Sequence, residues 1–220
     1  MKHLLWLGVL GIIAAGAWAD GTAAPAVNLL PNPGFETWAP AARQKNWPAI
    51  PDGIPQDWLV GVSAYEQGRD KSWPLQGTVA RDTAIKHGGE ASLRIENGLT
   101  TDITDVICTM FPVEPQTIYR LRVWVRGENI VLNPNDGAGA LAWYHTRPTR
   151  DQWKDVTWGA QSPEPKQGTF DWTRFSWRLE TNGDAKFMDV VLQLRRASGK
   201  LWYDDAELVE VGKITPVDTY

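Results

Sequence analysis

This sequence predicts an all-β antiparallel sandwich, and three observations carry the prediction. Short runs of alternating apolar and polar residues recur along the chain, glycine and proline interrupt nearly every window of helical length, and no stretch keeps a long amphipathic helical period. About eight or nine such strands separated by turn residues fit a β-sandwich or jelly roll.

The first residues stand apart from the fold. Lys2 and His3 precede an apolar run from Leu4 to Ala15, and Ala17-Trp18-Ala19 has the small-residue pattern of a cleavage site. Residues 1–19 therefore read as a signal peptide, too short to span a bilayer, and the location expected is secreted or periplasmic. No cysteine lies near the cleavage point for lipid attachment, and no later stretch is apolar enough to cross a membrane. Residues 20–27 read as a short tail, 28–211 as one domain, and 212–220 as a C-terminal tail. Cys108 is the single cysteine, so an internal disulfide is excluded, and its apolar neighbours make it a buried thiol. The formal charge is −4, with no basic cluster that would suit nucleic acid or an anionic membrane surface. Tryptophan is abundant at 13 residues, which suggests rings that stack on ligands as well as rings in the core.

The strands follow in order. Asn28–Glu36 holds Pro31 and Pro33, which confine it to an edge or an irregular strand. Trp38–Pro55 reads as a long loop. Gln56–Val62, Thr78–Asp82 and Ala91–Ile95 are short strands, with His87-Gly88-Gly89 as a turn. Asp105–Phe111 is next. Ile118–Arg126 is the clearest strand, with Tyr119, Leu121, Val123 and Val125 on one face and Arg120, Arg122, Trp124 and Arg126 on the other. Ala140–Thr146 and Thr169–Leu179 follow. Asp189–Arg196 and Leu201–Val209, joined by a turn carrying Ser198-Gly199, read as a β-hairpin. In its second arm Trp202, Asp204, Ala206 and Leu208 share a face, so one carboxylate stands on an apolar, core-directed side and needs a partner.

Several of these stretches, in this order, resemble a known family. They are NLLPNPGFE, Pro55-x-x-Trp58, Gly88-Gly89-x-x-Ser92-Leu93-x-Ile95, Tyr119-x-Leu121-x-x-Trp124-Val125-Arg126-Gly127, Trp172-Thr173-x-Phe175, and Gly199-x-x-Trp202-Tyr203-Asp204-Asp205-x-x-Leu208. The set is similar to the carbohydrate-binding modules of families four, nine and twenty-two, the CenC-like galactose-binding jelly rolls. The resemblance implies an antiparallel β-sandwich with a structural Ca2+ between its first and last strands. The implied ligands are the Gly34 carbonyl, Glu36, the Lys86 or His87 carbonyl, Glu90 and Asp204. Such an ion takes about six to eight hard oxygens, mixing carboxylates and carbonyls.

The expected function is non-catalytic binding of a polysaccharide or oligosaccharide, with no catalytic residue assigned. The stripe Arg120, Arg122, Trp124 and Arg126 is the candidate platform, because sugars stack their CH faces on Trp and arginine donates paired hydrogen bonds. Gln193 and Arg195 extend it if their strand joins the same sheet, and Tyr144 or Trp143 can join it. Three arginines on one face favour an acidic or sulfated glycan; the other reading is a solvated basic face balanced by nearby acids. Trp47, Trp73, Trp153 and Trp158 in expected loops form a second candidate, while Trp58 and Trp172 read as packing residues. The alternatives are a jelly-roll polysaccharide lyase or hydrolase, for which His145 with Arg122 or Arg126 is the pair to inspect, and a structural or adhesion domain.

Overall fold

A computed structural model describes residues 27–40, 53–60, 77–135, 137–149, 157–159 and 166–215. The candidate leader, Trp47, Trp73 and Trp153 lie outside these residues. Among the described residues there is no helix. The strands are β1 (Trp38–Ala39), β2 (Ile54–Pro55), β3 (Leu59–Val60), β4 (Thr78–Asp82), β5 (Ser92–Asn97), β6 (Ile103–Pro112), β7 (Thr117–Leu132), β8 (Gly139–Arg147), β9 (Thr157–Gly159), β10 (Gly168–Glu180), β11 (Phe187–Arg195) and β12 (Ala197–Lys213). They form two five-stranded sheets and one two-stranded ribbon. Sheet I has the order β10-β7-β12-β5-β4, sheet II the order β3-β6-β11-β8-β9, and β1 pairs with β2. All pairings are antiparallel, as expected from the sequence. Among the described residues no helix is long and apolar enough to cross a membrane.

The inner faces are built by period-two alternation. On β7, Tyr119, Leu121, Val123 and Val125 are buried, while Arg120, Arg122, Trp124 and Arg126 alternate with them on the outer side. Phe175, Trp177 and Leu179 of β10 and Leu201, Tyr203 and Leu208 of β12 join the same core. Sheet II supplies Val106, Cys108, Ala140, Ala142, Tyr144, Val190, Leu192 and Leu194. The Cys108 thiol is pushed up to about 12, chiefly by burial, with the Asp189 and Asp57 carboxylates adding to it. Trp58 packs on Phe35, ring centroids 5.2 Å apart, and donates its Nε1 hydrogen to the Pro31 carbonyl at 3.1 Å, so it is a packing residue as expected.

Two readings of the C-terminal strands are corrected. β11 and β12 do not pair with each other. β11 lies between β6 and β8 in sheet II, whereas β12 lies between β7 and β5 in sheet I. The chain crosses from one sheet to the other at Arg196, which has φ 45°, and Ser198-Gly199 lies within β12, where Gly199 at φ 115° sits in a bulge and makes no hairpin turn. The face assignment also changes. A bulge between Asp204 and Glu207, with Asp205 at φ 45°, inserts an extra residue into β12 and inverts the alternation there. Trp202 and Asp204 consequently face outward from sheet I, and Ala206 and Leu208 face the core.

Trp202 is nevertheless only 1% exposed. Its Nε1 donates to Asp82 Oδ2 at 3.0 Å, and the Arg126 guanidinium lies 5.1 Å from its ring centre. Asp82 also accepts from the backbone N–H groups of Ala84 (2.9 Å) and Ile85 (3.0 Å) and from Arg94 Nη1 (3.4 Å). Burial alone would raise the Asp82 carboxyl; the hydrogen bonds from Trp202, Ile85 and Ala84 and the Arg94 charge outweigh it and hold the group below its ordinary value. A lowered folded pKa means stability that is complete above the unfolded value near 4 and is lost as pH falls through the folded one. Replacing Asp82→Asn should therefore lower the urea midpoint at neutral pH, by roughly 1–3 kcal/mol in stability. The gap between variant and wild type should close as the pH is lowered below about 4. A gap that stays constant with pH would contradict this account.

Candidate functional site

The sandwich presents two outer faces. On sheet I the expected platform exists as a stripe, but its aromatic member is already engaged. The His87 ring stacks on Trp124 with centroids 4.0 Å apart and an 18° angle, and Trp172 meets His87 edge-on at 5.6 Å. Arg174 lies 5.8 Å from the Trp124 ring centre. Arg120 and Arg122 share the Glu207 carboxylate at 3.6 and 3.5 Å, and Arg126 lies 3.7 Å from Asp171. Trp172, expected to pack in the core, is half-buried on this outer corner.

Three of the expected platform residues lie elsewhere. Gln193 and Arg195 are on β11, in the opposite sheet, because the crossover at Arg196 separates β11 from β12. Tyr144 points into the core, 6% exposed, and its hydroxyl donates to the Glu180 carbonyl at 3.0 Å. His145 cannot pair with Arg122 or Arg126, since it lies on β8 of sheet II and they lie on the outer face of sheet I. Trp158 is in β9, opposite His145 in the register, and is not in a loop.

The outer face of sheet II is unlike that of an ordinary solvated sheet. Register places Leu59, Ile107, Val191 and Trp143 in one row across β3, β6, β11 and β8. Leu59 is 39% exposed and Trp143 is half-buried, whereas Ile107 and Val191 between them are buried, at 3% and 0% exposure. On one side of this apolar row, Gln193 Nε2 donates to Asp105 Oδ1. On the other side, Arg147 donates from Nε to Asp189 Oδ2 at 2.9 Å and forms a second bond from Nη2 to the same oxygen. His145 Nδ1 lies 3.6 Å from that oxygen, and the Trp143 ring meets His145 edge-on at 5.1 Å. Asp105, His145, Arg147, Asp189 and Gln193 are all at most 3% exposed. Buried charges persist only when paired, and a pair of this kind seldom adds stability over an apolar replacement. The apolar row with its tryptophan is thus flanked by buried, paired carboxylate, amide, imidazole and guanidinium groups. Alternation in Ala140–Thr146 and in β11 holds the signal for this face, but without the pairing of β11 with β8 it could not be assembled.

Part of the expected calcium set meets at a third place, Glu36 and Asp204 against the backbone of residues 87–90, while Glu90 contributes its N–H and Lys86 bonds the Thr83 carbonyl. Glu36 accepts the Glu90 N–H on both carboxylate oxygens, at 3.1 and 2.9 Å. Asp204 accepts the N–H groups of His87 (2.7 Å) and Gly88 (3.1 Å) on Oδ2 and of Asp205 (2.8 Å) on Oδ1. His87 Nδ1 lies 2.6 Å from Asp205 Oδ2. A Cβ on Gly89 would stand 1.7 Å from Glu36 Oε1, and one on Gly88 would stand 2.7 Å from Asp205 Oδ2, so glycine lets the loop backbone approach these carboxylates. Around Gly34, Glu36 Oε1 and Asp205 Oδ1 lie 3.5 and 3.7 Å from the position a Cβ would take. Asp204 has most of its acceptor capacity filled by N–H donors, which makes Glu36 and Asp205 the freer carboxylates. Among the described residues no group of three or more His, Cys, Asp or Glu side chains is set to hold an ion.

With this geometry in place, comparisons define the class of fold. No protein-family model matches the chain, and no curated protein matches it. Solved structures do. The enzymatically active domain of tailspike protein 4 from bacteriophage CBA120 superposes with a TM-score of 0.53 at 10% identity, covering 84% of this chain and 21% of that one. The chain therefore spans about a fifth of that tailspike's length. The CBM22-1 xylan-binding domain of Xyn10C from Paenibacillus barcinonensis gives 0.50 at 15% identity over 86% of this chain and 98% of that one. A CBM4 structure gives 0.50 at 12% identity over 82% and 99%. The chain is a jelly-roll β-sandwich of the type found in carbohydrate-binding modules, as the sequence motifs implied.

Asp204 supplies the test of how the loop is held. Burial pushes its carboxyl up; the N–H bonds from Gly88, His87 and Asp205 oppose this, and the neighbouring Asp205 charge adds to the rise. Substituting Asp204→Ala strands three N–H donors and should lower stability by about 2–4 kcal/mol. Hydrogen exchange at His87 and Gly88 should accelerate with it. Unchanged exchange at those two amides would contradict the clamp.

Proposed function

We propose that this chain is a non-catalytic carbohydrate-binding protein that holds a polysaccharide segment on the outer face of sheet II. One observation carries the reading: the apolar row Leu59, Ile107, Val191 and Trp143 runs between two polar rows on the side of sheet II away from the main core cluster, buried at Ile107 and Val191 and accessible at Leu59 and Trp143. Sugar CH groups pack on apolar and aromatic surface, and hydroxyls exchange hydrogen bonds with carboxylates, amides and guanidinium groups. The similarity in fold to a xylan-binding domain supports the reading. The residues 1–19 leader would deliver the protein to the secretory route, where polysaccharides are met. A calcium ion held by Glu36, Asp205 and the Gly34 carbonyl, next to Asp204, belongs to the same proposal. It would tie the N-terminal segment to the β12 bulge.

A second reading has a specific observation behind it. His145 stands beside Arg147 through the shared Asp189 carboxylate, and a base next to an arginine is what a polysaccharide lyase requires. Incubation with candidate polysaccharides separates the two. Unsaturated sugar ends appearing with wild type and not with His145→Gln would establish the lyase and overturn the binding-only reading.

The binding reading predicts that Trp143→Ala weakens oligosaccharide affinity about tenfold or more, equivalent to about 1.4 kcal/mol, in calorimetric titration against neutral β-linked glycans. Trp124→Ala, whose ring is capped by His87, should leave that affinity within about twofold. Equal affinity of Trp143→Ala and wild type would remove sheet II from the account. For the ion, the melting temperature in excess calcium should exceed that in chelator, and Glu36→Gln should abolish the difference. Identical melting curves for wild type in the two conditions would contradict the calcium proposal.

A further inference from the structure

The outer corner of sheet I formed by β10 and β7 carries a charge arrangement that the sheet II proposal leaves unused. Phe175, Trp177 and Leu179 of β10 face the core, so Arg174 and Arg178 face outward, and both are exposed. Register sets Arg178 directly opposite Arg120, Ser176 opposite Arg122, and Arg174 opposite Trp124. Four guanidinium groups therefore share one corner of a chain whose formal charge is −4. Like charges directly opposite each other on neighbouring strands destabilise a sheet. Packing gives no reason for the Arg178–Arg120 pair, since both heads lie on the solvent side.

Among the described residues the acids nearby hold Arg178 through both Nε and Nη2 but leave the other three groups unsaturated. Glu207 is the carboxylate shared by Arg120 and Arg122, at 3.6 and 3.5 Å. Both separations are longer than the roughly 2.7–2.9 Å of a charge-assisted bond. Glu180 takes Arg178 at 2.7 Å. Among the described residues Arg174 forms no ion pair; its contact is the Trp124 ring at 5.8 Å. Arginine presents planar, paired donors that match a carboxylate. Glu207 already shows a carboxylate seated between two of the four.

We infer that Arg120, Arg122, Arg174 and Arg178 form a second binding surface, for a carboxylated polysaccharide of uronic acid units. Adjacent strands lie about 4.8 Å apart and alternate residues on a strand about 7 Å apart, so the four heads offer positive charge at intervals a chain of carboxylated sugars can follow. The surface shares no residue with the Trp143 face and lies on the opposite side of the sandwich, so either can fail alone.

Affinity electrophoresis of the protein through gels containing polygalacturonate tests it. Wild type should be retarded, less so as salt rises. The double variant Arg120→Gln with Arg174→Gln should bind roughly tenfold more weakly. Glu207→Gln, which frees two guanidinium groups, should bind more tightly. Arg178→Gln should weaken retardation while leaving the melting temperature close to wild type, because it removes both the like-charge opposition to Arg120 and an exposed pair with Glu180; a purely structural arginine would lower it. Trp143→Ala should be retarded like wild type. The proposal is overturned if wild type is not retarded, if methyl-esterified polygalacturonate retards it equally, if the double variant matches wild type, or if heparin or single-stranded DNA retards it more strongly than polygalacturonate.

Discussion

Asp204 places a carboxylate where water does not reach it, and three backbone N–H groups make that position tolerable. Two of them come from His87 and Gly88, in the connection between β4 and β5, so the bond joins a loop to the longest strand of the sandwich. The rest of the outer surface of sheet I depends on it. Because His87 is fixed by its own N–H, its ring is delivered to Trp124 and its Nδ1 to Asp205. The bulge at Asp205 is the structural cause: without its extra residue, Asp204 would turn inward and Trp202 with it. The sequence raised the question of what could partner a lone carboxylate on an apolar arm. Loop amides answer it, and the carboxylate faces outward.

A sandwich with one core has two outer faces, and here they have become chemically distinct. Sheet I is a lattice of arginines and acids, half-exposed, with its one stacked tryptophan closed by histidine. Sheet II carries its charges buried and paired around a strip of apolar residues. Buried ion pairs cost desolvation that their attraction seldom repays, so those of sheet II are weak contributors to stability. The fold itself does not choose between the faces, since similar jelly rolls serve different proteins.

Much of the fold was legible because β-strands announce themselves locally. The alternation in Ile118–Arg126 told inner from outer residues on β7 without error, since a period of two leaves no other assignment once one face is buried. What was not legible was anything decided by pairing. The Asp189–Leu208 stretch has every local sign of a hairpin, yet its halves enter different sheets, because the chain crosses over at Arg196 and the Ser-Gly signal belongs to a bulge within β12. Placing Gln193, Arg195 and Tyr144 with Trp124 failed for the same reason. The polar rows of Asp105, Gln193, His145, Arg147 and Asp189 come from three strands, and no spacing along the chain brings them together. The convergence of Glu36, Asp204 and residues 86–90 was reached through family resemblance, not through spacing; Asp205 and the stacking of the His87 ring joined it only in three dimensions.

Hydrogen–deuterium exchange on the protein with and without a saturating neutral oligosaccharide bears most directly on the central claim, that the sugar sits on sheet II. The account predicts slower exchange in β8 and β11, around Trp143 and Gln193, with β7 and β10 unchanged. Protection confined to β7 and β10, or none in β8 and β11 while the sugar is bound, would contradict it.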